Sequence, residues 1–418
     1  AGLNPAAATK SQRSARDQQA ALGVATTRWD ERVAASLGQV AAAPIRFEPA
    51  TDVPCGGVLA ALPALLALGL LRHNATHFAL PPGFYPLETV FLSIAFLALA
   101  RVPSLEALRY EPPGEWGRLL GLDRIPEVRT LRDKLGVLCA AGAPVREWSS
   151  ALAREWLAAQ PESAGTLYID GHVRVYHGHL TPLPRRYVAR QKLCLRGTTD
   201  YWVNALDGQP FFVVTQAADP GLLQTLKDHI VPRLLTDVPG QPTAEQLKAD
   251  PWRARFTLIF DRAGYSPEFF QWCWAQRIAV ITYHKFPDGE WPAEEFTLRK
   301  VGLVNGEEVE LWLAERGVRL RNGFWVREVR QREASGHQVA MLASDYRREL
   351  SAVAVALFAR WCQENFFQYM GRHYGLDRLI EYGTDPLPET ITVVNPAWRR
   401  LDQTVRRARA QLGRTQAQ

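Results

Sequence analysis

The spacing of apolar residues changes twice along the chain. Between 54 and 110, Leu59, Leu62, Leu65, Leu66 and Leu70 recur near helical spacing, and Pro81-Pro82-Gly83 separates that helical stretch from the next. Beyond 165 strand patterns take over. Leu167–Tyr176 reads as a strand with Gly171 in its middle. Thr199–Leu206 and Gln209–Thr215 read as a hairpin around Asp207-Gly208. Leu222, Leu223, Leu226, Ile230 and Leu234 fall on one side of a helix over 220–235, followed by a polar connection over 237–253. A strand over 255–260, a helix over 267–276 and a strand over 277–283 follow. Strands are then predicted at 307–314, 317–321 and 323–332, with turns at Asn305-Gly306 and Asn322-Gly323, and a helix from about 346 to 373.

These elements divide the chain. Residues 1–48 form an Ala- and Arg-rich arm, and 49–145 an all-helical domain. Within it, 112–138 reads as helix, glycine-containing turn and basic helix, a helix-turn-helix-like pattern that an ordinary helical hairpin also satisfies. A linker helix covers 146–165. The first part of an α/β core covers 166–285, a β-rich insertion 286–345, and the returning core helix 346–385. Residues 386–418 form a basic tail, with Arg399, Arg400, Arg406, Arg407, Arg409 and Arg414 against Asp402. Three antiparallel strands, helix, strand, helix, strand is the order of the ribonuclease H-like fold, a mixed sheet flanked by helices. The first and fourth strands are neighbours there, which would bring Asp170 close to Asp261.

Composition narrows the classes. With 47% hydrophobic and 22% charged residues, the 418-residue chain is an ordinary globular one. Net charge +6 leans toward a polyanionic partner. The five cysteines form no C-x-x-C pair, which argues against structural zinc and against a secreted disulfide framework, and makes a reducing cytoplasm the expected compartment. No signal-peptide pattern opens the chain, and its lack of an initiator Met fits a processed or partial product. The apolar runs 57–71 and 89–100 fall short of the ~18–20 residues a membrane span needs. Nucleotide-dependent chemistry is disfavoured, since neither G-x-x-x-x-G-K-[ST] nor a well-placed G-x-G-x-x-G occurs.

Three acidic residues stand where apolar ones are expected. Asp170 ends the run Leu167–Ile169, although strand interiors disfavour Asp. Asp261 ends the apolar strand Phe256–Phe260. Glu364 follows Trp361 by three and Leu357 by seven, extending the stripe Leu350, Val353, Ala354, Leu357, Trp361. Singly, each has a plainer reading as a cap, a turn residue or a solvated glutamate. Together they suit phosphodiester cleavage, in which carboxylates hold two cations ~3.5–4 Å apart. Mg²⁺ or Mn²⁺ would serve, as hard cations that keep waters for a phosphate to displace.

The residues Tyr-Ile-Asp170-Gly-His, Phe-Asp261-Arg-Ala-Gly-Tyr and Arg360-Trp-Cys-Gln-Glu364-Asn-Phe-Phe carry a resemblance. The chain resembles the DDE transposases of bacterial insertion sequences, in the group with a β-rich insertion before the glutamate helix. The resemblance implies Asp170, Asp261 and Glu364 as catalytic metal ligands and two Mg²⁺ or Mn²⁺ ions. It implies double-stranded DNA with terminal inverted repeats as substrate, strand cleavage and transfer, and a homodimer in the synaptic complex. Arg360 matches that group's arginine, whereas Leu357 and Gly371 stand at its tyrosine and lysine positions, with Arg372 or Gln368 as substitutes. Arg129, Arg132, Arg262, Lys285, Arg360 and Arg372 are the candidate DNA contacts. Trp291 and Trp325 are either stacking platforms for a base or packing residues. A silent DNA-binding derivative and another metal-dependent nuclease of the same fold are the alternatives.

Overall fold

A computed structural model describes residues 28–50, 53–140, 142–178, 183–188, 191–215, 220–303, 306–377 and 396–417. Most of the expected arm, the turn at Asn305 and the start of the expected tail lie outside them. The N-terminal part is helical: α1 (Trp29–Ser36), α2 (Leu87–Leu99), α3 (Pro113–Leu119) and α4 (Val128–Cys139), with shorter helical segments, among them Leu62–Ala67 and Asn74–His77, between. They share a core around Val90, Phe96, Trp116, Ile125 and Leu131.

Eight residues, 120–127, join α3 to α4. That exceeds the three or four of a helix-turn-helix. The connection folds back on α3 so closely that a Cβ on Gly117 would lie 2.5 Å from the Arg124 backbone. Asp123 is its buried anchor, accepting hydrogen bonds from Arg32 Nε and Nη2, both at 2.6 Å. Asp123→Ala would leave Arg32 charged, mostly buried and without its bidentate partner. We expect a loss of about 3 kcal/mol in denaturant-monitored unfolding.

Helix α5 (Gly142–Ala159) is no free linker. Its Trp148 packs on the N-terminal core, and its Ala153 and Leu157 are buried in the core of the α/β part. Arg72 and His73 both pair with Glu155, which fastens the two parts together.

Among the described residues, ten strands then build one mixed sheet: β1 (Thr166–Val175), β2 (Arg185–Val188), β3 (Leu193–Asn204), β4 (Pro210–Thr215), β5 (Thr257–Phe260), β6 (Ala279–Tyr283), β7 (Thr297–Gly302), β8 (Glu308–Arg319), β9 (Trp325–Arg332) and β10 (Gln338–Ala343). The order is β2-β3-β1-β5-β6-β10-β9-β8-β7, with β4 on β3. β1, β5 and β6 are parallel neighbours, and β3 runs antiparallel to β1. The β-rich stretch does not interrupt the sheet as a separate unit. β10 pairs antiparallel with β6, so β7 to β10 continue the same sheet. The expected strands at 307–314 and 317–321 are one strand, β8, because Gly317 sits over the Trp325 ring of β9 and keeps its extended pairing.

Both faces are covered. Alternation along a strand sends Leu167, Ile169, Leu258 and Phe260 to one face. There they meet α5, the helical run α6 (Leu222–Thr225, Leu226–Ile230, Val231–Asp237) and α7 (Pro267–Ala275). Tyr168, Ile259 and Ile281 go to the other face, against Val353, Ala354 and Leu357 of α8 (Leu350–Phe358). The helix expected over 346–373 is two helices, α8 and α9 (Trp361–Tyr374), broken at Ala359-Arg360. The break shifts the phase of the stripe. Trp361, expected on the buried face, is 58% exposed, and Gln363 takes the inward position at 1%. A final helix, α10 (Pro396–Ala417), carries the basic tail. No helix among the described residues is long and apolar enough to cross a membrane.

Candidate active site

The parallel register fixes the first two acids. Ile169 of β1 faces Phe260 of β5, so the next residues, Asp170 in the middle of β1 and Asp261 just past the end of β5, lie side by side. Each shares a face with the residue two before it, Tyr168 and Ile259, which is the face covered by α8. Asp261 leaves β5 into a tight turn. Its Oδ1 accepts a hydrogen bond from Ala263 N at 2.8 Å, and its carbonyl accepts one from Thr282 Oγ1 of β6 at 3.1 Å. That turn requires Gly264, since a Cβ there would meet the Phe260 ring at 2.3 Å.

Glu364 is linked to Asp170 through Arg360 by a different route. Tyr168 Oη donates to the Ala356 carbonyl at 2.7 Å, tying α8 to β1. Gln363 Nε2 donates to Asn204 Oδ1 at 2.7 Å and to the Trp202 carbonyl at 3.1 Å, tying α9 to β3. At the far end of α9, Asp377 Oδ1 and His172 Nε2 share a hydrogen bond at 2.7 Å, and the His172 ring lies against Phe367. Gln363 was not singled out from the sequence. Its signal was its place seven residues after the buried Ala356, a polar residue in phase with the packed face.

Arg360 fills the space between the acids. Its Nη2 donates to Glu364 Oε1 at 2.6 Å, its Nη1 reaches Asp170 Oδ2 at 3.5 Å, and the side chain is 12% exposed. Burial disfavours the guanidinium charge, but Asp170 and Glu364 outweigh it and hold Arg360 above its ordinary value. Asp170 goes the other way. Burial and the neighbouring Asp261 carboxylate push it up to about 7, against the pull of Arg360 and the Gly171 amide.

The donor set is carboxylate oxygen, which suits Mg²⁺ or Mn²⁺ rather than a soft ion. Asp170 and Asp261 repel each other as carboxylates, and a divalent cation would neutralise that repulsion. Glu364 is engaged by Arg360, and among the described residues no three of His, Cys, Asp and Glu converge on one point. Asp170 and Asp261 are the residues that would hold a cation, and Glu364 could contribute only from a position that Arg360 now occupies.

The candidate DNA contacts are scattered. Arg262 is exposed beside Asp261, over the Tyr283 ring, and Lys285 is exposed just past β6. Arg262 adjoins Asp261 in the chain, and Arg360 contacts Asp170 and Glu364. Arg129 is exposed on α4, Arg132 pairs with Glu106 at 2.7 Å, and Arg372 lies at the far end of α9. Trp291 is a packing residue, held between Arg316 and Arg330, while Trp325 stacks on Tyr346.

The two acids thus sit on adjacent parallel strands of a mixed sheet, Asp261 at the carboxyl end of β5, the side on which such sheets bind their ligands. Residues 23–418 match the family described as "Transposase protein", so the chain belongs to that transposase family. No curated protein matches it. Among solved structures it is similar to the piggyBac transposase in a synaptic complex with hairpin DNA, at 13% identity and a TM-score of 0.36. The match covers 71% of this chain and 61% of that one, so the chain spans about three fifths of its length.

Proposed function

We propose that the chain is a DNA transposase of the DDE type with a ribonuclease H-like core, cutting and joining double-stranded DNA at element ends with Asp170, Asp261 and Glu364. The observation that carries this is the parallel β1–β5 pair, which sets Asp170 beside Asp261 under the helix bearing Glu364. Family membership and the strand order support it. Two divalent cations, when bound, would activate the attacking oxygen and stabilise the leaving one. Asp170 and Asp261 hold the charge that such cations need, and Gln363 anchors the helix that carries Glu364 to β3. Arg262 and Lys285 flank the acids and bind backbone phosphates, and α10 offers a further basic surface. The two element ends are held together by a homodimer.

The test is nicking of a fragment carrying the flanking element ends, with Mn²⁺ or EDTA, by the parent and by Asp261→Ala. Metal-dependent nicking at the ends that falls at least about 10³-fold in the variant is expected. Binding without nicking, unchanged by the substitution, would instead mark a silent DNA-binding protein.

A further inference from the structure

Glu328 and Arg330 of β9 are each 2% exposed and form an ion pair at 2.6 Å. No step of the proposed chemistry uses them. A buried pair of this kind contributes little by itself, since desolvation offsets the attraction and apolar residues of similar volume do as well. Its partners point to another role. The Arg330 guanidinium donates to the Gly289 carbonyl, to the Asp288 carbonyl at 2.8 Å and to Gln338 Oε1 at 3.1 Å, and lies 4.4 Å from the Trp291 ring centroid. Gln338 in turn accepts from Trp291 N at 2.9 Å and donates to the Trp291 carbonyl at 2.8 Å. Residues 285–290 are all exposed, so a solvated loop is fastened by a guanidinium buried beneath it.

The near end of that loop leads back to the acids. β5 and β6 are parallel, with Ile259 facing Ile281, so Asp261 and Tyr283 lie level on one face, and the Arg262 guanidinium sits 5.4 Å from the Tyr283 ring centroid. His284 takes the opposite face. Its backbone amide donates to the Ala340 carbonyl at 2.9 Å, its Nδ1 lies 3.1 Å from Glu328 Oε2, and its ring stacks on Tyr265, which ends the turn that Asp261 begins. Alternation then returns Lys285 to the face of Asp261, about 7 Å further along the strand. The Phe286 ring meets Tyr265 edge-on, with centroids 5.8 Å apart. One carboxylate thus braces both loops: Glu328 reaches His284, beside Tyr265, and Arg330, beneath 288–291. Burial disfavours the Glu328 charge, but His284 and Arg330 outweigh it and hold its value below the ordinary one. Resting on the DNA-cleaving reading of the carboxylates, we propose that Glu328 and Arg330 are positioning residues. Through the loop 285–291, the β-rich stretch holds Lys285 against a DNA phosphate beside the scissile bond, while neither buried residue touches the DNA.

The measurement is the salt dependence of binding to a short duplex carrying one element end, in EDTA so that binding is read without cleavage. Each phosphate contact adds about 0.9 to the steepness with which the logarithm of the association constant falls against the logarithm of salt concentration. Lys285→Ala is expected to lower that slope by about 0.9. The apolar replacement Glu328→Leu/Arg330→Met, which leaves no unpaired charge between the two positions, should lower it by the same amount, and adding Lys285→Ala to it should lower it no further. Gln338→Leu, which leaves the ion pair in place, carries the test if circular dichroism shows the replacement unfolded. A folded variant that keeps the parent slope, or whose loss adds to that of Lys285→Ala, makes the pair a structural brace alone and overturns the proposal. A slope unchanged by Lys285→Ala overturns it too, while Mn²⁺-dependent nicking by the parent leaves the carboxylate reading standing. A parent that neither binds nor nicks the duplex overturns both.

Discussion

Asp170→Asn is expected to melt several degrees above the parent in EDTA at pH 8, while losing metal-dependent nicking at least about 10³-fold. The sign comes from the direction of the Asp170 shift. An unfolded Asp titrates near 3.9, whereas burial and Asp261 push Asp170 up to about 7 in the folded protein. Its ionisation therefore opposes folding. The penalty is absent below the unfolded value, grows as pH rises from about 4, and is complete above about 7. Its upper limit is about 4 kcal/mol, from three units at 1.36 kcal/mol each. Asn keeps the shape and still accepts the Gly171 amide hydrogen bond, but gives up the attraction to Arg360. A net gain of about 2 kcal/mol is therefore the expectation. The parent should accordingly gain stability in EDTA as pH falls from 8 to 5, and the variant should lack that gain. Added Mn²⁺ should raise the parent's melting temperature and leave the variant's unmoved. Equal melting of the two in EDTA across that pH range would remove the electrostatic basis for a cation at this site. Such gains on removal of a functional charge are the usual trade between activity and stability.

Much of this arrangement was legible in the sequence because strands are short and their alternation is strict. The run Leu167–Ile169 before Asp170, and Phe256–Phe260 before Asp261, located two buried strands and the end of the second. A strand buried on both faces needs continuous apolar residues, and an acid there is conspicuous. The Asp207-Gly208 hairpin was equally plain, since Gly208 takes the positive φ, 88°, that the turn demands. What escaped was everything fixed by contacts distant in the chain. The junction of β10 with β6 rests on backbone pairing between residues sixty apart, and backbone pairing leaves no mark on residue types. The break at Ala359-Arg360 contains neither Gly nor Pro. It arises where α8 ends against the sheet and Arg360 turns to face two carboxylates. The inward role of Gln363 was hidden for the same reason, because its partners on β1 and β3 lie about 160 to 195 residues earlier.

Arg360→Gln is expected to sharpen the metal response while weakening the metal-free protein. The guanidinium is the cation that now sits between Asp170 and Glu364, 2.6 Å from the glutamate. A divalent ion using Glu364 as a ligand competes with it for the same oxygens, so part of the binding free energy goes to displacing Arg360. Gln cannot match that charge and leaves Glu364 free to turn toward Asp170 and Asp261. The Mn²⁺ concentration that half-saturates the melting shift should then fall about tenfold, equivalent to ~1.4 kcal/mol. Without metal the loss has the opposite sign. The carboxylates lose their counter-charge, and breaking a mostly buried pair typically costs ~3–5 kcal/mol. Protonation of Asp170, already favoured near neutral pH, offsets part of this, so a loss of about 2 kcal/mol at pH 7 is the expectation. A brace that merely held Glu364 in place would give a different pattern, with weaker Mn²⁺ binding alongside the lower metal-free stability. Nicking separates the two further. If Arg360 must also leave the glutamate to meet a DNA phosphate, the variant binds metal more readily yet turns over more slowly, and Arg360→Lys, a cation without the bidentate fork, should recover part of the rate.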